Sequence, residues 1–180
     1  MKKSLLIFAA LLIMAGFTTS VIGQTSATVT GTSAGVQLIV PMAISQDSPL
    51  HFGTVNLLAG AAGTVVLPSN STVRTFTGGV VASSVVPTPT NAAYHVTGTK
   101  NVTYALTLPV SITVTETGSA ATMIINNLKA RFNGKASDAV TSTLSATGTD
   151  SFTVGGTLTV AASQVGGIYL GTFNVTVDYN

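Results

Sequence analysis

Along most of the chain apolar side chains recur at every second residue, and no stretch of twelve or more carries a convincing helical period. Such alternation lets a strand bury one face and wet the other, whereas a helix needs its apolar residues three and four apart. Val36, Leu38, Val40, Met42 and Ile44 alternate with Gln37, Ile39, Pro41, Ala43 and Ser45. From Val102 to Val114 the apolar register holds Tyr104, Leu106, Leu108, Val110 and Ile112, and Leu158, Val160 and Ala162 repeat it. Met123 to Phe132 comes nearest to a helical spacing, but its Ile124, Leu128, Ala130 and Phe132 fit a strand as well. Pro109 falls on the polar side of the second run. Having no N–H to donate, it implies an edge strand, a bend or a break between two strands. Turn signals punctuate the runs at Gly60 to Gly63, Gly78-Gly79, Asn133-Gly134, Gly155-Gly156 and Gly166-Gly167. The expectation is an all-β chain forming one antiparallel β-sandwich domain, with a closed barrel as the alternative. No fixed-period repeat points to a solenoid or propeller.

Composition agrees with a packed domain. Charged residues are only 7% of the chain while 46% are hydrophobic, so disorder from low apolar content is excluded. Cysteine is absent, and the core must hold by packing alone. Lys2 and Lys3 precede an uncharged apolar run of 13 residues, Leu5 to Phe17, which is too short to span a bilayer and reads as a secretory signal peptide. Small residues then offer a cut after Gly23, giving residues 1–23 as leader and 24–180 as the domain. The protein is expected to be exported to the periplasm, cell surface or extracellular space, with no membrane span in its mature form. Without the leader, five bases face five acids. No basic surface remains to neutralise phosphates, so nucleic acid is a poor partner.

Motifs that carry chemistry are weak. Gly31-Thr32-Ser33-Ala34-Gly35 matches the G-x-S-x-G of serine hydrolases, yet the run beginning at Val36 is strand-patterned rather than helical. His51 and His95 are the only imidazoles, with no cysteine or carboxylate pair beside them to complete a metal site. Gly134-Lys135 lacks the upstream glycine and the Ser/Thr of a phosphate loop. Glu116, the one glutamate, ends a Thr-rich strand and reads as a solvated charge. Asn70-Ser71-Thr72, Asn101-Val102-Thr103 and Asn174-Val175-Thr176 are glycosylation sequons, significant only in a host that modifies them. No enzyme, cofactor or metal is expected.

The last segment is more informative. Gly167, Tyr169, Gly171, Phe173, Val175, Val177 and Tyr179 form one apolar and aromatic register, with Ile168, Leu170, Thr172, Asn174, Thr176 and Asp178 between them. One long C-terminal strand is expected, serving either as an assembly strand or as the final core strand of a complete sandwich. It resembles the C-terminal motif of chaperone–usher pilus subunits, with a penultimate Tyr and a Gly fourteenth from the end. The wider succession also carries a resemblance. It runs through Val36 to Ile44, Leu50-His51-Phe52-Gly53-Thr54-Val55, Arg74 with Thr77-Gly78-Gly79, Tyr94 to Gly98, Val154 to Leu158 and Gly167 to Val177. It is similar to the exported bacterial domain-of-unknown-function family 4402, and its layout resembles spore-coat-protein-U and archaic chaperone–usher pilin subunits. Unlike those pilins, it has no cysteine pair. The resemblance implies an immunoglobulin-like fold and no catalytic residues. It also implies strand complementation, either self-assembly or capping by a periplasmic chaperone, in which an extended segment fills a groove left by a missing strand. The donor would be the stretch from Gln24, where Ala27 and Val29 alternate with Thr28 and Thr30, or Val36 to Ile44, which serves equally well as the first strand of the chain's own sandwich.

The first reading of function is therefore an exported, fimbria-like structural subunit. The alternative is a monomeric carbohydrate-binding or adhesive domain. That alternative is short of rings: tryptophan is absent, and of Tyr94, Tyr104, Tyr169 and Tyr179 the last two are expected to be buried. The leader makes a direct prediction: intact mass of the exported protein should begin at Gln24, and retention of residues 1–23 would overturn the export reading.

Overall fold

The computed structural model describes Thr28 and residues 30–180. The expected leader and the Gln24 terminus lie outside the described residues. The chain divides into two units, 1–37 and 38–180. In the first, the described residues form no strand and are exposed.

The second unit is all-β. Its strands are β1 (Ala43–Ser48), β2 (Val55–Leu57), β3 (Gly63–Leu67), β4 (Thr75–Gly78), β5 (Val80–Ala82), β6 (Ala92–Thr97), β7 (Thr103–Thr107), β8 (Ser111–Glu116), β9 (Thr122–Phe132), β10 (Thr141–Thr143), β11 (Thr149–Val160), β12 (Tyr169–Leu170) and β13 (Thr176–Tyr179). Every pairing is antiparallel. The large sheet runs β1-β6-β11-β9-β8-β12, with β3 also pairing β11 and β4 pairing β3. A three-stranded sheet runs β10-β7-β13, and β2 pairs β5. β1 and β12 end the large sheet without pairing each other, as in a sandwich and unlike a closed barrel.

β11 organises the large sheet. Its first half, Thr149 to Val154, pairs β6, and its second half, Gly156 to Val160, pairs β3, while β9 lies along its other side. Gly155-Gly156, expected as a turn, therefore sits inside a strand. At Gly155 the neighbour changes, and an added Cβ would run into the Leu67 carbonyl and come 2.6 Å from the Ser69 nitrogen. The glycine marks a close approach of backbones, which is its other use in strands.

The apolar faces meet in two clusters. One gathers Tyr94 and Val96 of β6, Tyr104 and Leu106 of β7, Phe132 of β9 and Phe152 of β11. The other gathers Val65, Leu67, Val80, Ile112, Ile125 and Leu158 with others around them. Tyr94 and Phe152 stack at 5.1 Å, Phe152 tilts against Phe132 at 5.3 Å, and Tyr104 meets Phe132 edge-on at 5.8 Å. These offset and edge geometries suit the charge distribution of the rings. The buried Tyr104 hydroxyl donates to Asp150 Oδ2 at 3.0 Å, the Ser142 hydroxyl donates to the same oxygen at 2.6 Å, and Ser151 N–H donates to Asp150 Oδ1 at 2.8 Å. Burial and the Asp150 charge push the Tyr104 phenol far above its ordinary range, so it stays a donor. The bond ties β7 of one sheet to β11 of the other.

The strand order corrects two expectations, on Val36 to Ile44 and on the C-terminal strand, and of the three readings of Pro109 it selects the break between two strands. The alternating run Val36 to Ile44 is strand only from Ala43 onward; Val36 is 96% and Leu38 83% exposed. The pairing stops because Ala43 faces Thr97, the last residue of β6. The Val102 to Val114 run is two strands in two sheets, split at Pro109, with Val110 91% exposed at the crossing. The long C-terminal strand is likewise two: β12 pairs β8 in the large sheet and β13 pairs β7 in the small one. The region Met123 to Phe132 is wholly strand β9.

The packing generates two stability predictions. Tyr104→Phe keeps the ring but leaves the part-buried Asp150 oxygen short of a donor, and denaturant melts should show a loss of about 1.5–3 kcal/mol. In the last segment Val175 is half-buried against the first cluster while Thr176 is exposed. Val175→Asp should prevent folding or lower the melting temperature sharply, and Thr176→Asp should change it little. Equal melting temperatures would reverse the face assignment.

Candidate functional site: a groove between the first and last strands

β1 closes one edge of the large sheet and, among the described residues, pairs only β6. Across from it runs Gly171 to Val175, the link between β12 and β13, which takes part in no strand pairing among the described residues. Between them lies a groove of about 620 Å³ lined by Ile44 to Gln46, Leu50, Tyr94 and Gly171 to Thr176. Its walls are thus two stretches of backbone with unpaired edges. Its apolar lining comes from Ile44, Leu50, Phe173 and Val175, all half-buried, and from the buried Tyr94. Phe173 and Leu50 pack against both core clusters, so the groove lies over the seam between them.

One end of the groove is defined by hydrogen bonds. The Tyr179 hydroxyl donates to the Val40 carbonyl at 2.7 Å and accepts from the Thr99 N–H at 2.6 Å, and the Val40 N–H donates to the Thr99 hydroxyl at 2.6 Å. The residues just before β1 therefore lie beside the last residues of β13, and the two walls run in opposite directions. A strand laid in the groove would run antiparallel to one wall and parallel to the other.

Of the seven residues singled out in the C-terminal segment, Tyr169, Phe173, Val175, Val177 and Tyr179 are half-buried, and the residues between them are exposed, from Leu170 to Asp178. The Tyr169 hydroxyl donates to the Val165 carbonyl at 2.6 Å and accepts from Gln164 Nε2 at 2.8 Å, closing the loop before β12. Gly167 is exposed in that loop, and an added Cβ would strike the Glu116 side chain. Gly171 is the tighter position: its added Cβ would stand 2.6 Å from the Thr113 carbonyl and 3.0 Å from Val114. Here the chain leaves β8 for the second sheet, and only glycine fits so close to another backbone.

The remaining motif residues serve the fold. His51 Nδ1 accepts from the Gly53 N–H at 2.7 Å, and Gly53 has φ +69°. Arg74 donates to the carbonyls of Phe52 and Thr54 at 2.6 and 2.9 Å and lies 5.2 Å from the Phe76 ring centre. The sequence marks Arg74 without revealing this task; a lone base 22 residues from the loop it holds leaves no local signal. Hydrogen bonds from Ser119 and the local backbone hold the exposed Glu116 carboxyl below its usual range. Arg131 is engaged by Asp138 at 2.9 Å. Burial raises the Asp138 acid, but hydrogen bonds from Ser69 and Arg131 outweigh it and hold the group below its ordinary value. Among the described residues no three His, Cys, Asp or Glu side chains gather in a way that could hold a metal ion, and no helix is long and apolar enough to cross a membrane.

The tyrosines depart from expectation. Tyr94 and Tyr104 are the buried pair, at 6% and 0% exposure, because they face between the sheets, while Tyr169 and Tyr179 are only half-buried.

No curated protein and no solved structure matches the chain. Residues 42–179, which begin one residue before β1 and end with β13, match the family described as a domain of unknown function, DUF4402, and the chain belongs to that family.

Proposed function

We propose that the protein is an exported structural subunit of a fimbria-like cell-surface assembly. In this reading its sandwich is immunoglobulin-like and lacks one strand, as the resemblance to spore-coat-protein-U and archaic pilin subunits implies. The observation that carries the proposal is the groove between β1 and Gly171 to Thr176, apolar inside and edged by unpaired backbone. An added strand would satisfy both edges by main-chain hydrogen bonds and fill the floor with alternate side chains.

The occupant is the segment before β1 of a second copy. Ile44 is already committed to β1, and Met42 packs on the core of its own chain. The main chain of Val40 is likewise tied to Thr99 and Tyr179 of its own chain, which confines the donor to residues before Val40, where Val36 and Leu38 supply knobs at period two, both exposed and outside any strand. At about 3.3 Å per residue, the seven residues 33–39 reach about 23 Å, as many residues as the groove wall from Ile44 to Leu50 contains. Neither the donor stretch nor the Gly171 to Thr176 wall contains a charged residue, so desolvating them strands no ion.

The test is to fuse a second copy of residues Gln24 to Ile44 after Asn180 through a flexible linker. The exported protein should gain melting temperature as the groove fills, and the unfused protein should form filaments in negative-stain micrographs. A cooperative monomer that the added segment leaves unchanged would overturn strand exchange and put the adhesive domain first.

A further inference from the structure

The groove has two candidate donors of identical sequence, the segment of the same chain and that of a second copy, and local chemistry distinguishes them. To fill its own groove the chain would have to turn back just before β1 and lie along that strand's unpaired edge as a hairpin. The tightest such hairpin has Pro41 and Met42 as its two loop residues and pairs Val40 with Ala43 across them. Two-residue hairpin loops take type I′ or II′ turns, whose first loop residue has positive φ. Proline is locked near −65° and cannot adopt it. In addition, both main-chain groups of Val40 are engaged: its N–H by the Thr99 hydroxyl and its carbonyl by the Tyr179 hydroxyl, at 2.6 and 2.7 Å. Tyr179 is itself fixed by the Thr99 N–H, and the ring reaches this point because residue 98 is glycine; a Cβ there would collide with the hydroxyl.

We propose that Pro41 and the Tyr179–Val40–Thr99 clasp keep the segment before β1 out of its own groove, leaving the groove to the corresponding segment of a second copy. Tyr179 is thus a positioning residue, acting on the direction of the chain at Val40 rather than on the groove floor. This rests on the reading of the groove as a strand acceptor. It explains why a half-buried hydroxyl-bearing ring ends a segment whose other inward residues are purely apolar: Phe173, Val175 and Val177 need only burial, whereas position 179 needs a donor that is also an acceptor.

The test uses the full exported chain with Tyr179→Phe, Pro41→Gly and the double variant. Pro41→Gly creates Gly-Met at the loop, the residue order of a type II′ turn, and retains Met42 in the core. Tyr179→Phe alone should quicken amide exchange at Thr99 about tenfold, the loss of one hydrogen bond, with the ring packing kept. The double variant should lose filaments and run as a monomer whose melting temperature is raised, and the fused Gln24 to Ile44 segment should no longer stabilise it, the groove being closed by its own chain. If the fused segment stabilises the wild type but the double variant still forms filaments as the wild type does, the clasp does not direct the donor and this inference alone fails. If the fused segment leaves the wild type unchanged, the groove is no acceptor and both readings fail.

Discussion

With no cysteine to cross-link them, the two sheets are held chiefly by the run of rings Tyr94, Phe152, Phe132 and Tyr104 and the aliphatic residues around it. Each ring pair contributes about 0.5–1.5 kcal/mol beyond its buried area, and the area itself is the larger part. The rings come from β6, β11 and β9, adjacent in the large sheet, and from β7 of the small sheet, so one stack joins three neighbouring strands to the sheet facing them. Asp150 adds direction to this packing. One carboxylate collects Tyr104 and Ser142 from the small sheet and the Ser151 N–H from its own strand. A part-buried charge with three donors is tolerated, where one with fewer would not be.

Strand content was legible because alternation reports burial on one face, and β8, β11 and β13 follow it closely; in β9 the inward face shifts at a bulge, from Met123 and Ile125 to Leu128, Ala130 and Phe132, which leaves Ile124 39% exposed. What alternation cannot report is whether a partner strand exists. Val36, Leu38 and Val40 have the same pattern as Tyr104 and Leu106, but the former precede the point where β6 ends. Nor does it report a change of sheet. The Val102 to Val114 run keeps one apolar register through Pro109, and the C-terminal run keeps another through Gly171, yet each crosses from one sheet to the other. Pro109 gave a usable signal for its crossing, since a missing N–H limits where it can sit. Gly171 gave none, because the Thr113 carbonyl that excludes a side chain there is 58 residues away. Gly155 misled for the same reason: a glycine pair suits a turn and a close approach equally.

The candidate site was half legible. The seven C-terminal residues were visible as a register, but the opposite wall of the groove was assigned to the interior of a strand or to a donor. Only sheet order shows that β1 is an edge and that Gly171 to Val175 stands opposite it. Both crossings have one consequence. Because the chain passes between sheets at Pro109 and again at Gly171 to Val175, β8 and β7 receive β12 and β13 in turn, and the last segment lies at the margin of both sheets rather than within either.

An open margin is a hazard in any β protein, and the way this one is guarded bears on its use. Exposed edges are commonly blunted by bulges, charges and short strands. β1 has a register shift between Gln46 and Ser48, which leaves Asp47 as an unpaired, exposed carboxylate in the bulge. β13 is four residues long and carries Asp178 on its exposed side. These guards stand at opposite ends of the groove, since the walls run in opposite directions, and the stretch between them is uncharged on both walls, Ala43 to Gln46 on one and Gly171 to Val177 on the other. A strand pairing with β1 would thus find regular edge only over Ala43 to Gln46 before meeting the bulge. Four residues of regular edge admit two inward side chains, and two is the number of knobs that Val36 and Leu38 provide ahead of the tethered Val40.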